Sequence, residues 1–138
     1  MVVDSLRYVR GLQNWNIVIH SCEEVARGRI CDHFAELDEI WQVGAKTASF
    51  YLRDLCTIYE LDPGPTGWAV MQPIDTWVEQ IAMRLGLIQQ GDEVGAVAEK
   101  IVSACRAAGV QPADFNAGAW YLGTHSLDIA LASLGATN

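Results

Sequence analysis

Apolar residues recur every three to four positions along most of this chain, which is the spacing of helix faces rather than of strands. Ile74, Trp77, Val78, Ile81, Ala82 and Leu85 share one face of a helix predicted over 73–86, with Pro73 in its first turn and Gly86 just past its end. A second helix is predicted over 92–108, with Val94, Val97, Ala98, Ile101, Val102 and Cys105 inward, Asp92 as N-cap and Gly109 after the last turn. A third is predicted from Pro112 to Gly123 along Phe115, Ala119 and Leu122, and a short final one over 126–134. In the first half, helices are predicted over 17–26, closed by Gly28, and over 31–40, with Phe34, Leu37 and Ile40 inward. Another is predicted over 47–59, with Ala48, Tyr51, Leu52, Leu55 and Ile58 on its buried side. The run from Asp62 to Gly67 is the one clear loop. There is no sustained two-residue alternation and no internal repeat. The fold class expected is therefore all-α: one domain over 1–138, built as a bundle of about six or seven short helices.

Composition narrows this picture. Of 138 residues, 51% are hydrophobic and 19% charged, the balance of a folded domain rather than a disordered chain. No apolar run is long enough to span a bilayer. Met1 to Arg10 carries Asp4, Arg7 and Arg10 among its apolar residues, so no signal peptide is expected and a cytoplasmic location is. Cys22, Cys31, Cys56 and Cys105 show no C-x-x-C pair, no zinc pattern and none of the close spacing of an iron–sulfur site. They read as buried free thiols of a cytosolic protein. His20, His33 and His125 form no triad or metal spacing and read as structural or surface residues. The net charge of −8 counts against broad electrostatic binding of nucleic acid, though not against a local site. Most of the acid lies beyond the first thirty residues, which hold Arg7, Arg10, Arg27 and Arg29.

One segment carries specific chemistry. Trp41-Gln42-Val43-Gly44-Ala45 joins two predicted helices and is short enough to make them a tight αα-hairpin. Gly44 supplies a backbone conformation that a side chain would hinder, and its missing Cβ lets a ligand approach the main chain. The amides from Gly44 to Thr47 open the next helix, where free N–H groups and partial positive charge favour a phosphate. The plain alternative is a turn between packed helices, with Gly44 serving only the turn.

Leu37-x-x-Ile40-Trp41-Gln42-Val43-Gly44-Ala45-Lys46-Thr47-Ala48 resembles the L-x-x-L-P-G-V-G-x-K-T-A hairpin of the helix-hairpin-helix DNA glycosylases, a family that includes endonuclease III and the 8-oxoguanine glycosylases. Downstream, Gln72-Pro73-Ile74-Asp75-Thr76-Trp77-Val78 resembles their P-[VI]-D-T-H-V segment, and Arg84-Leu85-Gly86-Leu87 their R-L-G-L. The stretch from Ala48 to Asp54 looks more like the archaeal-type 8-oxoguanine lyases than endonuclease III. The likeness covers about Leu37 to Leu87 and is weaker from Phe115 to Gly123. Trp41-Gln42 stands where the family has Pro-Gly, Trp77 where it often has histidine, and the gap from Asp62 to Met71 is longer than usual.

The resemblance implies a partial glycosylase-like fold with a helix-hairpin-helix motif over 33–59 and a helix bearing a catalytic aspartate over 73–86. It implies that Lys46 is a nucleophile and Asp75 its supporting carboxylate, the two facing one cleft. It also implies DNA as partner, its backbone held by Val43, Gly44, Ala45 and Thr47. A monovalent cation, Na+ or K+, would be bound by the main-chain carbonyls of Asp38, Ile40 and Val43; no iron–sulfur cluster is expected. Asn116 and Trp120 would line the pocket floor. Members of the family carry helices that would precede Met1, so a partner chain or a second copy is expected to supply them.

Glycosylases extract a damaged base from the stack and break its bond to the sugar through an oxocarbenium-like state. A carboxylate such as Asp75 steadies that charge; read without the family, Asp75 is a helix N-terminal acid that complements the dipole. An amine such as Lys46 attacks the anomeric carbon once burial and the helix N-terminus make it neutral. Lys46 and Lys100 are the two lysines of the chain, and Lys46 falls on the lysine position of the motif. Its plain alternative is a solvated surface lysine. Of five tryptophans, Trp68 in the glycine-rich loop is the expected exposed one, able to stack on a base. Three functions follow: a base-excision glycosylase with AP-lyase activity, a helix-hairpin-helix module that holds DNA without cutting it, and an inactive paralogue or protein-interaction domain.

Overall fold

The structure, a computed structural model, describes residues 2–126. It is all-α, with eight helices and no strand among the described residues: α1 (Val2–Gly11), α2 (Ile17–Ala26), α3 (Ile30–Asp38), α4 (Gly44–Ile58), α5 (Gly64–Val70), α6 (Thr76–Arg84), α7 (Val94–Ala107) and α8 (Pro112–His125). The chain packs as two compact units, Met1–Pro73 and Ile74–Asn138. No helix among the described residues is long and apolar enough to cross a membrane.

In the first unit, α3 packs against α2, α4 and α5, and α2 against α4. The core gathers Val25, Ile30, Leu37, Ile40, Ala48, Leu52, Leu55, Cys56 and Met71, with Tyr8, Phe34, Tyr51 and Trp68 packed on its edge. The helical stripes expected on α3 and α4 therefore face inward, except that Ile58 is exposed, because the last turn of α4 runs past the core. Asn16 caps α2, its side chain accepting the Val18 and Ile19 amides at 3.0 and 3.2 Å. Two helices depart from expectation. α1 has no counterpart in the pattern, since only its Tyr8 reaches the core while Val3 and Leu6 are exposed. α5 occupies much of the segment expected as a loop. The Asp62 carboxylate accepts the Gly64 amide at 2.9 Å, and Pro65 takes a first-turn position where its missing N–H costs nothing. This turns Trp68 onto the core, while Trp15 and Trp41 are the most exposed tryptophans, at 74% and 67%.

In the second unit, α8 packs on α6 and α7 around Val78, Ile81, Ala82, Ile88, Val97, Ile101, Cys105 and Ala119. Gly123 is why α6 and α8 lie so close: a Cβ there would meet Cβ and Cγ of Trp77 at 2.5 Å. Expected inward positions at helix ends, Leu85, Val94 and Leu122, are exposed. Pro73 precedes α6 rather than entering its first turn. Asp92 does not cap α7, whose N-cap is Glu93; its carboxylate holds the preceding turn, accepting from the Gln89 amide at 2.8 Å and Lys100 Nζ at 2.6 Å. Gly86 and Gly109 follow their helices with φ of +71° and +68°, as expected of C-terminal glycines. The helix expected over 126–134 lies outside the described residues apart from Ser126, which caps α8. The cysteines are free, Cys56 and Cys105 buried and Cys22 half-buried, but Cys31 is exposed rather than buried.

Candidate functional site

The segment over 33–59, where a hairpin is expected, holds most of α3 and all of α4, with a connection from Glu39 to Val43. Its turn is held by two apolar anchors, Ile40, buried, and Val43, half-buried on the core, and by the Val43 amide donating to the Ile40 carbonyl at 2.9 Å. Between and beyond these anchors the chain faces out: Trp41, Gln42, Gly44, Ala45, Lys46 and Thr47 are all exposed. Two residues adopt the left-handed conformation, Gln42 at φ +69° and Gly44 at φ +64°. Gln42 therefore holds a conformation that glycine adopts without steric cost, at the position where the resembled motif has glycine. A Cβ on Gly44 would meet no atom within 4 Å, so the main chain there is open.

No side chain caps α4. Its first-turn amides have no acceptor within the helix and lie on the exposed face of the turn. Lys46 sits in that turn, and its side chain makes no hydrogen bond or ion pair among the described residues. Its amine is in solvent, so the burial expected of a nucleophilic lysine is absent from this state. Asp38 ends α3 and is exposed. The Ile40 carbonyl keeps a lone pair after accepting the Val43 amide, and main-chain oxygens of this kind suit a hard cation.

The surroundings are acidic. A cleft of ≈ 360 Å³ beside the turn is lined by Asp4, Tyr8, Glu36, Glu39, Ile40 and Trp41. Three of the early arginines are already paired with acids. Arg7 pairs with Asp4 at 2.9 Å, and Arg27 and Arg29 both close on the buried Glu24 carboxylate, at 2.9 and 2.6 Å. Burial pulls the Glu24 pKa upward, but the Arg29 and Arg27 guanidinium groups outweigh it and hold the carboxyl below its ordinary value.

Asp75 opens the second unit as the N-cap of α6. One carboxylate oxygen, Oδ1, accepts both the Trp77 amide at 3.0 Å and the Val78 amide at 2.9 Å. The side chain is half-buried, and its second oxygen has no hydrogen bond among the described residues. Of the two residues expected at the pocket floor, Asn116 is buried and Trp120 exposed.

A polar cluster that sequence reasoning missed lies inside the first unit. His33, 0% exposed, meets Ser21 Oγ through Nε2 at 2.7 Å and Glu36 Oε2 through Nδ1 at 3.4 Å. Ser21 Oγ also lies 2.7 Å from the Ile17 carbonyl and 2.9 Å from the Tyr51 hydroxyl. Tyr8 donates to Glu36 Oε2 at 3.3 Å, and His20 Nε2 stands 3.9 Å from the same oxygen. Burial lowers the pKa of His33, and burial with the Glu36 charge raises that of Tyr8. His20 and His33 are thirteen residues apart, so no local motif betrays them; the α2–α3 packing brings their rings to 5.2 Å. Comparison with family models, with curated proteins and with solved structures finds no match to this chain.

Proposed function

We propose that the chain is a DNA glycosylase with AP-lyase activity, working in base excision with Lys46 as nucleophile and Asp75 as supporting carboxylate. The observation that carries the reading is the hairpin turn: an unpaired, exposed Lys46 amine in the first turn of an uncapped helix, behind two left-handed residues. Such a turn presents N–H groups and an open main chain to a phosphate, with Val43, Gly44, Ala45 and Thr47 the backbone contacts. DNA lying on the turn would exclude water from Lys46, which supplies the desolvation the free chain lacks.

The Lys46 nitrogen then bonds to the anomeric carbon as the base–sugar bond breaks, and the base leaves with the electron pair and a proton. Ring opening and loss of a proton from nitrogen give the imine, and β-elimination expels the 3′ phosphate. The Asp75 oxygen not engaged by α6 is the one available to steady the positive sugar. A monovalent cation at the carbonyls of Asp38, Ile40 and Val43 would add positive charge beneath the phosphate.

Borohydride reduction of the chain mixed with abasic-site DNA tests this. The parent is expected to trap covalently and Lys46→Gln to lose the adduct while keeping its helical circular dichroism. Trapping by Lys46→Gln at the parent level would overturn the assignment. A second reading, a hairpin module that binds DNA without cutting it, is favoured by the engagement of Asp75 as a helix cap. DNA binding without trapping in either protein would select it; an absence of DNA binding would select an inactive paralogue or interaction domain.

A further inference from the structure

We infer that His20, His33 and Glu36 form a binding site for a divalent transition-metal ion of the zinc class, joining α2 to α3. Each offers one ligand atom, and the three atoms lie within 4.8 Å of one another. Two imidazole nitrogens and a carboxylate oxygen are a zinc-type donor set that leaves a fourth position for water. With metal–ligand bonds near 2.0–2.1 Å, donors around a tetrahedral ion stand about 3.3 Å apart. His33 Nδ1 and Glu36 Oε2 are already 3.4 Å apart, and His20 Nε2 and Glu36 Oε2 3.9 Å. No other group of three His, Cys, Asp or Glu ligands gathers this closely among the described residues.

A second, independent observation comes from proton accounting around Ser21. Its hydroxyl carries one proton and has three neighbours: the Ile17 carbonyl at 2.7 Å, the Tyr51 hydroxyl at 2.9 Å and His33 Nε2 at 2.7 Å. The carbonyl can only accept, so the Ser21 proton goes to Ile17, in the way a helical serine bonds back one turn. Ser21 Oγ then accepts from Tyr51 and from His33, which uses both its lone pairs. His33 thus carries a proton on Nε2, and in the neutral imidazole the Nδ1 lone pair faces the Glu36 carboxylate at 3.4 Å. In that neutral form the two acceptors repel, and a metal cation between them removes the repulsion. Ser21 meanwhile does what the outer partner of a metal-bound histidine does, fixing the tautomer and the ring plane.

The site can be reached. His20 borders a cleft of ≈ 220 Å³ with Glu23 and Arg27, and Glu36 borders the larger cleft beside Tyr8. The inference is independent of the DNA reading, since none of its residues belongs to the hairpin turn or to Asp75.

The test is titration of the metal-stripped 138-residue chain with zinc chloride by calorimetry, with cobalt(II) absorption as a second readout. One ion per chain is expected, with a tetrahedral cobalt spectrum free of thiolate charge-transfer bands. Glu36→Gln and His20→Asn, both at partly exposed positions, should each weaken binding by about a hundredfold or more, since loss of an outer partner alone costs about 10–100-fold. Nitrogen-15 imidazole spectra of the metal-free chain should show His33 protonated at Nε2. Absence of one-to-one binding, thiolate bands, undiminished binding in both variants, or His33 protonated at Nδ1 with Ser21 donating to Nε2 would each overturn the inference.

Discussion

At the scale of single residues, Gln42 in the turn before α4 is one of three non-glycine residues with left-handed backbone among the described residues, beside Trp15 and Glu60. Gln42 keeps φ at +69°, a region that costs a residue with a Cβ about 1–2 kcal/mol. Gln42→Gly removes that cost but loosens the unfolded chain, which offsets part of the gain. The expected net effect is stabilisation by about 0.5–1 kcal/mol, read as a higher urea midpoint with an unchanged slope. An equal or lower midpoint would mean the glutamine side chain makes a compensating interaction in solution. Gly44 is the opposite case: space around it is open, yet its φ of +64° strains any side-chain-bearing replacement.

At the scale of the helix, Asp75 separates a structural role from a chemical one. Its Oδ1 satisfies two first-turn amides of α6, so removing the side chain leaves both without a partner. Asp75→Ala is expected to lower stability by about 1 kcal/mol, whereas asparagine caps as well as aspartate and should cost nearly nothing. Asp75→Asn nevertheless removes the charge. If the glycosylase reading holds, base release by Asp75→Asn falls by roughly a hundredfold or more while thermal unfolding stays at the parent value. Base release at the parent rate in Asp75→Asn would confine this residue to capping α6.

At the scale of the whole molecule, the titrating groups bracket the pH range of stability. Burial pushes the Cys56 thiol up to about 11 from its ordinary value near 9, and burial also raises Cys22 and Cys105. The stability this represents is fully present below pH about 9 and is lost as pH rises through about 11, because the unfolded chain releases these protons first. Glu24 acts at the other end. Its folded carboxyl is held low by Arg29 and Arg27, so its contribution is present above its ordinary value and lost as pH falls through the depressed one. Urea midpoints from pH 8 to 10.5 should fall more steeply for the parent than for Cys56→Ala; parallel slopes would contradict the burial of this thiol. If the glycosylase reading holds, binding through hairpin amides and one lysine releases few counterions, so the salt dependence should be shallow, with a slope of about −1 to −2.

Local rules reached a good part of this protein. The 3.6-residue spacing of apolar positions marks most of the helices and their inward faces, because an amphipathic stripe has to be buried wherever the helix ends up. Glycines after α2, α6 and α7 mark their ends because the left-handed backbone there is a local requirement. Exposure at helix ends, as for Ile58, Leu85 and Val94, was not legible, since it depends on how far each helix overhangs its neighbour. Neither was α5, whose glycines and prolines read as loop until packing against α3 makes the helix worthwhile. The roles expected of Lys46 and Asp75 came from the resemblance of their segments to the glycosylase motifs, and no rule of local structure assigns them. The His20–His33–Glu36 cluster came only from tertiary packing, because a ligand set split between two helices has no spacing of its own until the α2–α3 turn folds back.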